Sequence, residues 1–173
     1  MNSMRYLCLS ALCSASLVSC VTPGGAPPND RPWSGVADQD DTRSAGARAV
    51  LAAYFANDPD GMSEWIAADA EIKFNKDTVD KATFLANVSK DHRLFKDIKP
   101  GYQIVTTLRY NNGMDFTNMW VSWTGTLRKT SQELEVPLYM FMNWKDGKVS
   151  SFVHLYDPAP FEEALKSIGV APY

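Results

Sequence analysis

Three apolar runs with period-two alternation fill the last third of the chain. They read FTNMWVSWTGTL from Phe116, LEVPLYMFMNW from Leu134 and KVSSFVHLYD from Lys148. Successive side chains of a strand point to opposite faces, so such runs predict strands whose faces are assigned by counting in twos. The breaks between them, Asn111-Asn112-Gly113 and Lys145-Asp146-Gly147-Lys148, are hairpin signals, because Asn, Asp and Gly accept the left-handed backbone of tight turns. The pattern predicts strands over residues 102–110, 114–129, 134–144 and 149–156, with a polar loop over 130–133.

The first half carries a helical period instead. Asp41 is placed to cap a helix on which Val50, Leu51, Tyr54 and Phe55 share one face. Asn57-Asp58-Pro59-Asp60 breaks it. Asp58 then caps a short second helix with Pro59 at its first position, where no N–H is needed. Residues 71–74 predict a strand. Asp80 caps a third helix over 81–95, with Phe84, Val88, His92 and Phe95 on its apolar side, and Lys99-Pro100-Gly101 closes this half. Residues 161–168 fit a final short helix or tail.

Alternation divides the last two strands into two faces. One is assigned Tyr139, Phe141 and Asn143 with Phe152, His154 and Tyr156; the other is assigned Leu138, Met140, Met142 and Trp144 with Val153 and Leu155. Neither is polar, and a sheet apolar on both sides must be covered on both. Three helices cover one. The other, the face of Leu138, Met140, Met142 and Trp144, is expected to meet a second copy of the chain in an isologous homodimer.

Composition narrows the chemistry. The 173 residues suit one domain plus a leader, and the net charge of −3 without a basic cluster argues against a nucleic-acid partner. Cys8, Cys13 and Cys20 all lie in the first twenty residues, so the remainder has no disulfide and no thiolate metal site. With two histidines and no carboxylate pair beside them, no metal and no cofactor is expected. No glycine-rich phosphate loop, nucleophile elbow or HExxH pattern is present. Residues 6–18 are apolar or small and too short to span a bilayer. They end in Leu17-Val18-Ser19-Cys20, which resembles the bacterial lipoprotein signal. That resemblance implies a leader over residues 1–19 and acylation of Cys20, hence a lipid anchor in the bacterial cell envelope. Val21 rather than Asp after the cysteine favours the outer membrane if the cell is Gram-negative. Residues 20–40, rich in Pro and Gly, then read as the acylated cysteine and a flexible tether, and residues 41–173 as the domain with a C-terminal tail.

VLAAYFANDPDGMSEWIAADAEIKF, MWVSWTGTLRK and VPLYMFMNWKDGKVSSFVHLY, in this order and spacing, resemble the nuclear transport factor 2, ketosteroid isomerase and SnoaL-like polyketide cyclase group. The resemblance implies an α+β fold, a cone-shaped, strongly curved antiparallel sheet with three helices on its concave side. Laid on the ketosteroid isomerase site, its tyrosine falls on Val50, its aspartate base on Phe74 and its protonated aspartate on Tyr139. Without a base at Phe74, that isomerase chemistry is excluded. The same alignment turns Met119, Val121, Trp123, Tyr139, Phe141, Asn143, Phe152, His154 and Tyr156 toward a cavity, which Tyr54 also lines. The expectation is a membrane-tethered, non-catalytic domain binding a small apolar ligand or a protein partner. The alternative is a SnoaL-like cyclase, isomerase or dehydratase, with His154 as general base and Tyr139 and Asn143 as polarising donors. His92 is expected to pack its helix, and Asp69, Glu71 and Asp115 to face water.

Overall fold

The computed structural model describes residues 31–171; the leader, Cys20 and residues 172–173 lie outside the described residues. The expected helix caps form. Asp41 accepts from the Ser44 amide at 2.7 Å and opens α1 (Thr42–Phe55). Asp58 accepts from Gly61 N–H at 2.9 Å at the head of α2 (Pro59–Trp65), and Asp80 from Thr83 N–H at 2.7 Å at the head of α3 (Lys81–Leu94). Each cap satisfies an amide that the helix leaves open, for about 1 kcal/mol. A fourth helix, α4 (Ala159–Ser167), follows the last strand.

Seven strands form one curved sheet: β1 (Gly35–Asp38), β2 (Ile66–Phe74), β3 (Asp77–Val79), β4 (Phe95–Tyr110), β5 (Asp115–Leu127), β6 (Glu133–Lys145) and β7 (Lys148–Leu155). Their order is β1-β4-β5-β6-β7-β2-β3. The sheet is mixed, not purely antiparallel as expected, because β2 runs parallel to β7, with Ile72 opposite Phe152 and Phe74 opposite His154. Residues 35–38, assigned above to the tether, pair with β4 as an edge strand. Lys99-Pro100-Gly101 does not end an element; it sits within β4, where two register shifts absorb the proline.

One irregularity fixes which side chains point inward. The β6–β7 hairpin turns on Asp146 (φ 51°) and Gly147 (φ 75°) and begins with Lys145 opposite Lys148 and Trp144 opposite Val149. Carried on regularly, this register would set Phe141 against Phe152 and Tyr139 against His154. Ser150 is an extra residue there. Beyond it Asn143 faces Ser151, Met142 faces Phe152 and Met140 faces His154. Opposed residues share a face, so a one-residue slip exchanges the whole set. Leu138, Met140, Met142 and Trp144 therefore lie on the helix side with Phe152 and His154. Tyr139, Phe141 and Asn143 lie on the outer side, opposite to the expectation.

Two buried clusters make the core. The larger joins α1, α2 and α3 to the sheet through Val50, Met62, Phe84, Val88, Met119, Val121, Met142 and Phe152; the smaller holds Phe95, Trp123, Leu127, Leu134, Ala164 and Leu165 under α4. A chain of hydroxyls ties the start of α1 to the sheet. Trp144 Nε1–H donates to Thr117 Oγ1 at 2.9 Å, Thr117 and Thr107 hydroxyls meet at 2.9 Å, and Thr107 donates to Asp41 Oδ1 at 2.9 Å. Phe152→Ala is expected to cost about 3–5 kcal/mol in urea unfolding, because it opens a core cavity. Phe141→Ala should cost less than half of that, and equal losses would contradict the assigned faces.

Candidate functional site

A cavity of about 660 Å³ lies where the two clusters meet. Its walls come from α1 (Val50, Leu51, Tyr54), α3 (Phe84, Val88, Asp91), β5 (Val121, Trp123), β6 (Leu138, Met140), β7 (Phe152, His154) and α4 (Phe161, Glu162, Leu165), with Phe74 to Asp77 from the β2–β3 turn. Strand alternation supplies every second residue, and the 3.6-residue period supplies one face of each helix.

His154 is sunk among aromatic rings. Phe74 stacks on it with centroids 4.5 Å apart and planes 18° apart, Phe152 lies at 4.0 Å and Phe84 at 5.7 Å. Burial pulls its pKa down to about 4, against the opposing pull of its hydrogen bond to the Lys73 carbonyl. It is neutral at pH 7.

Elsewhere on the wall a polar relay crosses from strand to helix. Trp123 Nε1–H donates to the Tyr54 hydroxyl at 2.8 Å, and that hydroxyl donates to Asp91 Oδ2 at 3.1 Å. The backbone carbonyl of Tyr54 accepts from His92 Nε2–H at 2.7 Å, which fastens α3 to α1. Burial raises the Tyr156 pKa, and Asp91, Glu162 and Asp77 raise it further, so the hydroxyl stays protonated. Among the described residues, no three His, Cys, Asp or Glu side chains converge as a metal site would require.

Of the side chains expected in the cavity, Tyr54, Val121, Trp123, Phe152, His154 and Tyr156 line it. Met119 points inward but is fully buried in the core beside it. Tyr139, Phe141 and Asn143 are on the other side of the sheet. There the Tyr139 hydroxyl donates to Asn118 Oδ1, Tyr139 packs on Trp120 at 5.3 Å, and burial raises its pKa, with a further push from Tyr110. The triad proposed for general-base chemistry is thus split between two faces. The inward position that the isomerase comparison gave to Tyr139 is held by Met140, opposite His154.

Sequence reasoning missed Asp91, Phe74, Phe84, Phe161 and Glu162 as lining residues. Asp91 was within reach: Phe84, Val88 and Asp91 follow the spacing of one helical face. Sequence reasoning took His92, one residue on, into the apolar side of the helix instead. Phe74 did have a signal, because the isomerase comparison puts its base position there; the α4 residues had none, since docking of α4 brings them in. His92 packs α3 on α1 as expected, Asp69 and Glu71 are exposed, and Asp115 forms an ion pair with Arg43 at 2.8 Å.

No protein-family model matches the chain, and no curated protein sequence matches it. Solved structures do. A candidate polyketide cyclase from Xanthomonas campestris pv. campestris aligns at 16% identity over 72% of this chain and 96% of its own, with a TM-score of 0.60. An NTF2-like protein from Burkholderia thailandensis E264 aligns at 17% identity over 72% and 98%, with a TM-score of 0.58. A protein with the ketosteroid isomerase-like fold from Catenulispora acidiphila DSM 44928, solved in complex with trimethylamine, aligns at 12% identity over 72% and 92%, with a TM-score of 0.54. The chain has the nuclear transport factor 2-like fold, in an α+β form whose described residues make an open mixed sheet of seven strands and four helices.

Burying His154 neutral makes stability depend on pH. Below its ordinary value of 6.5 the unfolded chain takes up a proton that the folded chain refuses until about pH 4. Stability should therefore fall as pH drops through that window, by about 3 kcal/mol. Urea unfolding of the wild type and His154→Phe at pH 7 and pH 4.5 tests this. The wild type should lose about 2–3 kcal/mol more than the variant, and an equal loss would show that His154 does not titrate as described.

Proposed function

We propose that this domain is a binding module that holds a small, mostly apolar molecule in the cavity between its helices and its sheet. The observation that carries this reading is the cavity itself. At about 660 Å³ it falls in the size range of small-molecule sites, and aromatic and aliphatic walls with a few placed polar groups are the usual lining of one. Its closing walls belong to separate elements: Val50 on α1, Phe84 on α3, Met140 on β6 and Leu165 on α4.

The enzymatic alternative retains its base but not its donors. His154 lines the cavity, whereas Tyr139 and Asn143 are across the sheet. A pKa near 4 also makes His154 a weak base at neutral pH, which suits hydrogen bonding better than proton abstraction. Native mass spectrometry of the purified protein is expected to show a retained small molecule that denaturation releases. Leu138→Trp, which fills the cavity from β6, should lower its occupancy severalfold. The reading fails if the protein emerges empty and no apolar probe raises its melting temperature.

The module is proposed to work as a lipid-anchored homodimer in the cell envelope, held through acylated Cys20. The dimer face must differ from the one expected, because Leu138, Met140, Met142 and Trp144 are turned inward. The outer side presents Ile104 (53% exposed), Trp120 (40%) and Leu155 (41%) beside Tyr139 and Phe141. Three large apolar side chains this open on one sheet face support a covering partner, and a second copy is self-complementary there. The full chain carrying Cys20→Ala should leave the membrane fraction and sediment as a dimer at micromolar concentration. Adding Trp120→Glu should give a monomer. A membrane-bound Cys20→Ala protein would refute the anchor, and a monomer before the second substitution would refute the dimer.

A further inference from the structure

The cavity contains a buried acceptor whose partner has to come from outside the protein. His154 is 6% exposed, walled by the rings of Phe74, Phe84 and Phe152. Its Nδ1 lies 3.1 Å from the carbonyl oxygen of Lys73. A carbonyl only accepts, so Nδ1 carries the hydrogen, and in the neutral ring Nε2 is left with a lone pair. The tautomer is thus set by the backbone of β2, the strand that runs parallel to β7 beside the histidine. Among the described residues no group donates to Nε2. Neither is it walled in, since no sealed side-chain nitrogen or oxygen lacks a partner among them. Nε2 therefore opens on the cavity that His154 lines.

That arrangement selects a ligand. A molecule entering the cavity displaces whatever water reaches Nε2. It must then supply a donor or leave a desolvated acceptor bare. A hydrocarbon or an ether supplies none. A carboxylate supplies none either, and it would meet Asp77, Asp91 and Glu162, which outnumber Lys76 and Lys90 on the lining. An ammonium group could donate, but carrying a charge in among three phenylalanine rings costs far more than carrying in a hydroxyl. A neutral O–H or N–H meets both conditions.

We propose that the ligand of this cavity is a neutral, mostly apolar molecule bearing a hydroxyl or neutral N–H group, which donates its hydrogen to Nε2 of His154. This rests on the binding reading above and deepens it. Burial supports it independently, because a ring held neutral keeps its lone pair available at physiological pH.

Two probes of nearly equal shape isolate the one hydrogen that matters. 1-Naphthol carries a hydroxyl; 1-methoxynaphthalene keeps the oxygen and the rings but has no hydrogen to donate. Isothermal titration calorimetry of the purified protein at pH 7 is expected to give binding on the order of tenfold tighter for 1-naphthol, a usual ratio for one buried hydrogen bond made or left unmade. His154→Phe keeps an aromatic ring and removes the acceptor, so it should bind the two probes alike. The wild-type comparison stands even if that variant misfolds. Equal affinity for both probes in the wild type overturns the inference and leaves the binding reading intact. A preference for 1-naphthol that survives in His154→Phe overturns it in the same way, by placing the hydroxyl elsewhere. Failure of both probes to bind overturns the binding reading itself, and this inference falls with it.

Discussion

Ser150 is a single extra residue in one strand, and the character of both sheet faces depends on it. On the turn side of the bulge the β6–β7 hairpin is regular; past it, every pair is shifted by one. Because the side-chain period of a strand is two, that one residue chooses between two complete sets of inward positions. The set chosen puts Met140 and Met142 against His154 and Phe152 beneath the helices. It leaves Tyr139, Phe141 and Asn143 outside. A regular hairpin would have grouped tyrosine and asparagine with the histidine in a polar constellation suited to acid–base work. The bulge surrounds the histidine with phenylalanine and methionine instead, and burial then removes its charge.

The helix that roofs the cavity is held at its two ends by related devices. At the start of α1 an indole N–H, from Trp144, begins a chain through Thr117 and Thr107 to the Asp41 carboxylate. In its last turn another indole, Trp123, donates to Tyr54, which donates to Asp91. Each chain runs from a neutral donor through hydroxyls to a carboxylate, the order in which successive hydrogen bonds reinforce one another. Between these two fastenings α1 presents Val50 and Leu51 to the cavity and needs no polar contact there. An apolar chamber can persist under the helix because polar bonding secures α1 at its start and again at Tyr54, on the cavity wall.

Packing accounts for the space left open. The larger cluster fills the region between α1, α2 and the middle of the sheet, and the smaller one is closed by α4 on Phe95 and Trp123. Tyr54, Phe55 and Leu138 pack against both clusters, and all three line the cavity. Its wall is thus drawn from almost every element, and its polar character comes from His154, the Tyr54–Asp91 pair, Tyr156, the amides and hydroxyl of Asn75, Asn87 and Thr83, and the charged groups of the β2–β3 turn, α3 and α4.

The sequence by itself determined the three capped helices, most of the strands and the fold class, but not β1, β3 or the first part of β4. Three Asp residues at Asp41, Asp58 and Asp80 set the helix starts, because an N-cap is a local interaction. The alternating runs and the Asn-Gly and Asp-Gly turns set the strands for the same reason. The inward direction of Val121, Trp123, Phe152 and His154 was legible, and so was the place of Tyr54 on a cavity-facing helical stripe. Only the tertiary structure decided the phase of β6 against β7, because nothing in the two Ser residues at 150 and 151 says which of them is unpaired. The tertiary structure also decided that β2 lies parallel beside β7, which brings Phe74 and the Lys73 carbonyl to His154 and so fixes its tautomer. Parallel pairing joins segments some eighty residues apart, as in Phe74 opposite His154, and leaves no turn signal in the chain between them. Local chemistry wrote the parts of this protein; register and long-range pairing decided which atoms meet in its cavity.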